Sequence, residues 1–228
     1  MLDLCYVLGS ALDIVFNAKK SSLFVTGKCC FLIVESFKIG NDDVMWHNDL
    51  KYLGHLFQSG KVLKPVFDVS MRRLYAAANS THCNSRFSSE MSKLYLMESF
   101  CLPLHSYGCD VVNSSIQQLN QLNVCWNNVY RKIFRMHQFE SVREIQWFCD
   151  RLDLKHIVDK RKLQFFSCAA KSRNSVLQVC YGLCRHSQIY INLCLKYSVH
   201  VGSCSVRSIC SAVVNNFVDS VVKVPGAC

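Results

Sequence analysis

The chain has 228 residues, half of them apolar, and its 26 lysines and arginines against 16 acidic residues leave a net charge of +10. This length and apolar content predict one or two folded domains rather than disorder. The charge indicates either an anionic partner such as nucleic acid or a solvated basic surface that only aids solubility, and charge alone does not decide between them. No apolar run is long enough to span a bilayer and the N-terminus lacks the basic region of a secretory signal, so we predict an intracellular protein (nucleus or cytoplasm) that is neither secreted nor in a membrane.

A helix and several short strands are predicted in the first part of the chain. Leucines fall mostly on one side of residues 2–12, which predicts a short helix. The apolar runs Leu12–Phe16, Ser22–Thr26 and Phe31–Val34 each predict a strand. Asn17-Ala18-Lys19-Lys20 predicts a tight connection between the first two strands.

A hairpin-like region follows these strands. Asn41-Asp42-Asp43 predicts a turn, because short polar side chains favour turns. Lys51–Phe57 predicts a short strand or one arm of a hairpin. Gly54 lies in its middle and indicates either a bulge or the close approach of another backbone.

After Pro65 the sequence is typical of helices. Val66–Asn79 predicts one helix, and Ser88-Ser89-Glu90 predicts the start of a second that runs to about Phe100. Pro103 is expected to end this second helix, because proline lacks the N–H that a helix interior needs.

Capping residues predict three further helix starts. Ser114 followed by Gln117 has the form of a capping box, and Ser141 followed by Glu144 repeats that form. Asp153 can cap the helix behind it. Behind the first box, apolar residues at three- and four-residue spacing predict the clearest amphipathic helix in the chain. These residues are Ile116, Leu119, Leu122, Trp126, Val129 and Ile133.

The elements together predict an α+β fold that is mostly α. A small β-containing part is expected in residues 1–65 and a helical bundle in residues 66–172. Residues 173–228 are rich in Cys, Ser and Val, contain few acidic residues, and form a tail to which we assign no structure.

The strongest chemical signal is a run of positive charge. Residues 131–173 hold eleven lysines and arginines against five acidic residues. Cations at this density repel one another unless a partner neutralises them, so the run predicts contacts to phosphate groups. Tyr130, Phe134 and Trp147 lie among these cations and either stack on bases or belong to the core, and their helical spacing favours the core.

Metal ligation and disulfide bonding have weaker signals. Fifteen cysteines are an odd number in a chain without a visible secretion signal, so free thiols are the better interpretation. Cys180 and Cys184 near His186, and His200 with Cys204, have helical spacing but no Cys-x2-Cys pair accompanies them, so no zinc site is predicted. The adjacent Asp42 and Asp43 are interpreted as a turn rather than as metal ligands.

Five segments, in this order, resemble the end of a non-LTR (LINE-type) retrotransposon reverse transcriptase. Leu12–Ser21 resembles the family's fourth palm motif, a strand that ends in Asn and is followed by Lys-Ser or Lys-Thr. Lys51–His55 resembles the primer-grip hairpin. Arg72–Asn79, Leu94–Tyr107 and Leu119–Phe134 resemble successive helices of the thumb.

The resemblance implies a distal palm remnant in residues 1–65, a helical thumb in residues 66–172, and an RNA template with a DNA primer as ligands. Lys20 matches the motif lysine that lies near the nucleotide triphosphate, and Tyr52, Leu53 and Gly54 match the primer grip. Together with the basic run, the resemblance indicates eight nucleic-acid-binding residues. They are Arg72, Arg73, Arg131, Lys132, Arg135, Lys160, Arg161 and Lys162.

The family's catalytic Asp-Asp turn, fingers and endonuclease domain have no counterpart in this sequence. The Mg²⁺ of the full-length enzymes would therefore have no ligands here, and we expect no cofactor in this chain. We predict a truncated reverse transcriptase-like protein of a retrotransposon that is inactive in DNA synthesis and retains RNA/DNA binding. The alternatives are a basic helical interaction protein and a decayed open reading frame without selected function.

Overall fold

The computed structural model describes residues 2–28 and 37–222, so the strand predicted at Phe31–Val34 lies outside the described residues. The fold is α+β and mostly α, as predicted, and the described strands form two three-stranded sheets. The chain divides into two compact units, Met1–Phe67 and Asp68–Cys228, and the strands belong to the first.

The first unit begins with helix α1 (Leu2–Ala11) and a short 3-10 helix (Ala18–Lys20), which is capped by the Asn17 side chain. Its first sheet contains β1 (Ser22–Leu23), β2 (Phe37–Ile39) and β3 (Asp42–Trp46). The strand order is β1-β3-β2, with β1 parallel and β2 antiparallel to β3.

The predicted strand at Leu12–Phe16 is wrong. The N–H groups of Leu12 and Ile14 both donate to the Gly9 carbonyl, at 2.9 and 2.8 Å, and Asp13 has a positive φ of 57°. These bonds close the end of α1, where helix carbonyls otherwise lack partners. The apolar run therefore forms the end of a helix and an irregular segment.

The turn predicted at Asn41-Asp42-Asp43 is only partly right. The chain turns at Gly40-Asn41, and Asp42 and Asp43 are the first two residues of β3. Consecutive side chains of a strand point to opposite faces of the sheet, so these two carboxylates do not converge on a common point. Asp43 instead forms an exposed ion pair with Lys38 at 3.9 Å.

The second sheet contains the hairpin predicted around Lys51–Phe57. It consists of β4 (Asp49–Tyr52), β5 (His55–Gln58) and β6 (Lys64–Val66), joined antiparallel. Tyr52 pairs with His55, so Leu53 and Gly54 form the two-residue loop, with φ of 46° and 83°. Gly54 is therefore a turn residue and not a bulge. A loop with two positive φ values favours glycine, which explains the residue at this position.

Replacing Leu53 by asparagine is expected to stabilise the first unit by about 1 kcal/mol. Leucine at positive φ is strained, whereas Asn-Gly is the preferred pair for this loop. Urea denaturation followed by circular dichroism measures the change. Leu53→Val is the matched control and should destabilise, since a β-branched side chain tolerates positive φ least. Equal midpoints for both variants would contradict this description of the loop.

The second unit begins with α2 (Asp68–Asn84), followed by α3 (Glu90–Leu96), a π-helical turn (Met97–Cys101) and α4 (Leu102–Ser106). The Ser89 side chain caps α3, as predicted. Pro103 does not end the helical run, and that prediction is wrong. The helical run continues through Leu102, whose N–H donates to the Met97 carbonyl. Pro103 follows in the first turn of α4, where a residue without an N–H is tolerated.

The predicted amphipathic helix is α5 (Ile116–Phe134), and its buried side includes Leu122, Trp126 and Ile133. Its capping box is one residue later than predicted: Ser115 accepts from the Gln118 N–H, and the Gln118 side chain accepts from the Ser115 N–H. The second predicted box is absent, since α6 (Arg143–Phe148) has Val142 at its N-cap without a side-chain hydrogen bond.

The remaining helices are α7 (Leu154–Lys171), α8 (Ser175–Cys184), α9 (Gln188–Tyr197) and α10 (Val206–Val222). Asp153 caps α7, as predicted. The described part of the region left unassigned from residue 173 is helical and belongs to the second unit. It shares a hydrophobic core with α7, in which Leu163 packs with residues of α9, α10 and the loop between them.

Among residues 2–28 and 37–222, no helix combines the length and apolar content that crossing a membrane takes.

Candidate functional site

Arg131, Arg161 and Lys162, three of the eight predicted nucleic-acid-binding residues, are partly or fully buried by the protein itself. The Arg131 guanidinium donates to Asn128 Oδ1 at 2.9 Å and to the Glu140 carbonyl at 3.1 and 3.3 Å. Arg161 donates to the Ser106 hydroxyl. Lys162 is 8% exposed. A phosphate would therefore have to displace existing bonds or reach a buried group at these positions.

Three other predicted nucleic-acid-binding residues lie on helices and do not line the cavity described below. Arg72 and Arg73 lie near the start of α2, where Arg72 Nε donates to the Asp68 carbonyl at 3.4 Å. Lys160 is half-buried on α7. None of the three is a lining residue of that cavity.

The last two, Lys132 and Arg135, line a cavity of about 540 Å³. His82, Arg86 and Lys93 line it as well, so four permanent cations and one histidine surround the same space. The other lining residues are Cys83 and Ile133, and none of the lining residues carries a carboxylate. The structure thus brings part of the predicted basic run together with cations that precede it in sequence.

Three helices build this cavity. His82 lies in the last turn of α2, Lys132 and Arg135 lie at the end of α5, and Lys93 lies on α3. Arg135 is the C-cap of α5 with φ of 54°, and its N–H donates to the Arg131 carbonyl. Helix C-termini carry partial negative charge, so the ends of α2 and α5 stabilise the cations that lie there.

Lys93 differs from the other cations because its side chain is 7% exposed. Within the described residues it forms neither a side-chain hydrogen bond nor an ion pair. Lys132, by comparison, is exposed and donates from Nζ to Asn79 Oδ1 at 2.6 Å. The stem of Lys93 is therefore packed within the protein, whereas its ammonium keeps accessible surface, as is common for long cationic side chains. Four cations around one space without a carboxylate favour a bound anion.

His82 responds electrostatically to these neighbours. Burial and the positive charges of Lys132, Lys93 and Arg135 all lower the pKa of its imidazole below the ordinary value of 6.5. Its Nδ1 is buried and has no hydrogen-bond partner in the described part of the chain. The cavity is therefore lined by four fixed cations and one imidazole that becomes cationic when protonated.

Searches against protein-family models, curated proteins and solved structures found no match.

The remaining predicted residues lie in the first unit. Lys20 ends the 3-10 helix with an exposed side chain, and its N–H donates to Asn17 Oδ1 at 3.2 Å. Tyr52 and Leu53 are 61% and 70% exposed at the tip of the β4–β5 hairpin, beside Gly54. The side chains at the tip are thus accessible to a partner.

The aromatic residues of the basic run have different environments. Tyr130 is fully buried, and its ring lies 5.7 Å from Trp126 in an edge-to-face pair, which confirms the core interpretation for this residue. Phe134 is half-buried. Trp147 is 41% exposed and packs on Phe148. Trp147 therefore retains a free surface on which a base could stack.

In the described residues no three His, Cys, Asp or Glu side chains come close enough to share a metal ion. Cys180 and Cys184 are exposed thiols on α8, and Cys204 is a half-buried thiol before α10.

Sequence reasoning did not identify His82, Arg86 and Lys93. They precede the dense basic run, and each stands among polar or apolar neighbours without any charge pattern. Their common feature is the packing of α2, α3 and α5, which only the tertiary structure shows.

Proposed function

We propose that this protein is a reverse transcriptase-like polypeptide of a retrotransposon that binds an RNA–DNA duplex and does not itself synthesise DNA. Binding uses the second unit, the part that resembles a thumb. The cavity lined by His82, Arg86, Lys93, Lys132 and Arg135 is the centre of the proposed interface, and we name it the basic cavity.

One observation carries the nucleic-acid part of the proposal. The basic cavity collects four permanent cations without a carboxylate among its lining residues, although the chain as a whole has 16 acidic residues. Surface charges of one sign are usually interspersed with the other sign, and an unmixed group attracts counter-ions. Nucleic acid is the commonest polyanion that meets such a group.

The family part of the proposal rests on the order of the sequence motifs. One feature of the first unit agrees with it: a hairpin presents Tyr52 and Leu53 at its tip. The strand that precedes the lysine in the family's palm motif is not formed, since Leu12–Phe16 is irregular. The absence of family-type metal-binding aspartates from the sequence is the basis for proposing that nucleotide joining is lost, since phosphoryl transfer depends on bound cations.

Duplex binding is expected to weaken steeply with salt. Each phosphate contact releases condensed counter-ions, so the logarithm of the association constant should fall with the logarithm of salt concentration with a slope of about −3 or steeper. Fluorescence anisotropy of a labelled RNA–DNA hybrid measures this slope with the full chain. A flat slope, or no binding at low salt, would favour the basic interaction protein instead.

DNA synthesis is expected to be absent. Primer extension on a homopolymer RNA template with Mg²⁺ or Mn²⁺ should give the same product as a reaction without protein. A full-length reverse transcriptase serves as the positive control for template and primer. Reproducible nucleotide incorporation that follows protein concentration would overturn this part of the proposal and leave the binding part standing.

A decayed reading frame is the competing explanation that one observation favours. Leu12, Val15 and Met45 of the first unit are 72%, 91% and 67% exposed. Apolar side chains at this exposure promote association when they are contiguous. Aggregation of the purified chain, together with failure to bind the hybrid at low salt, would support this explanation.

A further inference from the structure

The basic cavity has a property that general attraction to a polyanion does not require. Contacts to an extended phosphate backbone are normally made by long exposed side chains. Lys93, however, is 7% exposed and forms no ion pair within the described residues. The packed stem fixes the position of this ammonium more closely than that of a freely exposed lysine, which suits the binding of a single group.

The donors around this space suit a small oxyanion. Lys93 and Lys132 each supply an ammonium, and Arg86 and Arg135 each supply a planar guanidinium. The His82 imidazole also lines this space and adds a positive charge when it is protonated. A tetrahedral oxyanion has several acceptor oxygens, so it can accept from more than one of these cations.

We propose that the basic cavity binds one phosphate group, with Lys93 as the anchoring cation. The inference deepens the proposed function and rests on it only for the source of the group, which is a nucleic-acid phosphate if the duplex-binding proposal holds. A free phosphate ligand supplies the same chemistry. The test separates the two sources.

Inorganic phosphate is the first probe, titrated calorimetrically into the full chain at constant ionic strength. Lys93→Met keeps most of the side-chain volume and removes the charge, and we expect it to weaken phosphate binding at least about tenfold. Arg207→Met is the matched control, because it removes one exposed cation of the same unit outside the cavity. It should change the affinity less than about twofold.

Arg135→Gly is a second variant that distinguishes the loss of a cavity charge from a loss of folding. Arg135 has φ of 54°, a conformation that glycine adopts without strain, so this variant removes a cavity charge while the C-cap of α5 is kept. It should also weaken phosphate binding several-fold with no loss of thermal stability. A phosphate affinity equal to that of the unmodified chain in both Lys93→Met and Arg135→Gly would overturn the proposal, as would no phosphate binding by the unmodified chain.

Sulfate is the second probe, because it stays a dianion across the pH range in which His82 titrates. The cations facing His82 are Lys132 and Arg135 from α5, Lys93 from α3 and Arg86 after α2. Burial, followed by the charges of Lys132, Lys93 and Arg135, holds the pKa of its imidazole below 6.5 in the free protein, and a bound anion offsets these charges and raises that pKa. Sulfate affinity should therefore rise as the pH falls below about 6.5, and His82→Gln should remove the rise. If His82→Gln shows the same pH profile as the unmodified chain, His82 does not contribute to anion binding at this site.

Competition separates the two sources of phosphate. If phosphate displaces a labelled RNA–DNA hybrid and Lys93→Met weakens both ligands, the cavity takes a nucleic-acid phosphate. If Lys93→Met weakens phosphate alone, the cavity takes a free phosphate ligand. A chain that binds phosphate through Lys93 but never binds the hybrid supports the cavity proposal and contradicts the proposed function, so the two failures are distinguishable.

Discussion

Replacing Asp153 by alanine is expected to lower the free energy of unfolding by about 3 kcal/mol. Asp153 is 4% exposed, and its Oδ1 accepts two hydrogen bonds from His156, from the backbone N–H at 2.8 Å and from ring Nδ1 at 2.6 Å. Alanine removes the cap of α7 and leaves both donors without an acceptor in a buried place. Urea denaturation followed by circular dichroism measures the loss.

The position of this pair explains the large effect. His156 is itself 6% exposed, its ring lies edge-on to Phe217 of α10 at 5.2 Å, and its Nε2 lies 3.3 Å from Asn216 Oδ1. The cap of α7 therefore also orients the contact between α7 and α10. Asp153→Asn is the matched control, since asparagine keeps an acceptor at the N-cap, and it should cost about 1 kcal/mol. Equal losses for the two variants would contradict the role given to the capping oxygen.

The same pair predicts a pH dependence of stability. Burial disfavours the charged form of Asp153, but the hydrogen bonds and charge of His156 outweigh burial, so the pKa of the carboxyl lies below its ordinary value of 3.8. A depressed folded-state pKa stabilises the protein above the unfolded-state pKa, and this contribution is lost as the pH falls through the folded value. The difference between the unmodified chain and Asp153→Asn should thus shrink as the pH falls below about 4.

Local patterns predicted helices better than strands, for a reason visible in two segments. Helix α5 satisfies its backbone hydrogen bonds internally, and the three- and four-residue spacing of Leu122, Trp126 and Ile133 already states which face is buried. A strand needs a partner strand, which is often far away in sequence. Leu12–Phe16 has the composition of a strand, yet the end of α1 takes its N–H groups instead.

The capping box of α5 was predicted one residue too early, because two overlapping pairs of residues fit the pattern. In the run Ser-Ser-Ile-Gln-Gln, both Ser114 with Gln117 and Ser115 with Gln118 fit the pattern. Both readings place a serine before the same helix, and the structure selects the second. The helix itself was predictable, but the residue at which it begins was not.

The candidate site was predictable only in part. Charge density along the chain identified Lys132 and Arg135, because they belong to a dense basic run. His82 and Lys93 come from two other helices, and their approach depends on how α2 and α3 pack against α5. Conversely, the run included Lys162, which the fold buries. The density of charge along the sequence shows how many cations a segment contains, whereas the packing of the helices determines which of them line the same cavity.

Neutralising two cations of the basic cavity is expected to weaken hybrid binding about 100-fold at about 50 mM salt. The variant is Lys132→Gln with Arg135→Gly. Each lost phosphate contact removes about one released counter-ion, so the salt slope should also become shallower by about two. Anisotropy titrations of the labelled hybrid at several salt concentrations measure both quantities.

A loss of folding does not explain such a result, because the two substitutions act oppositely on stability. Lys132→Gln gives up the exposed bond to Asn79, worth little at the surface, whereas Arg135→Gly relieves a side chain held at φ of 54°. Arg185→Gln with Arg207→Gln is the control, since it removes the same net charge from exposed positions outside the cavity. It should change hybrid affinity less than about threefold. If both double variants lose affinity equally, binding follows net charge alone and the basic cavity is not the interface.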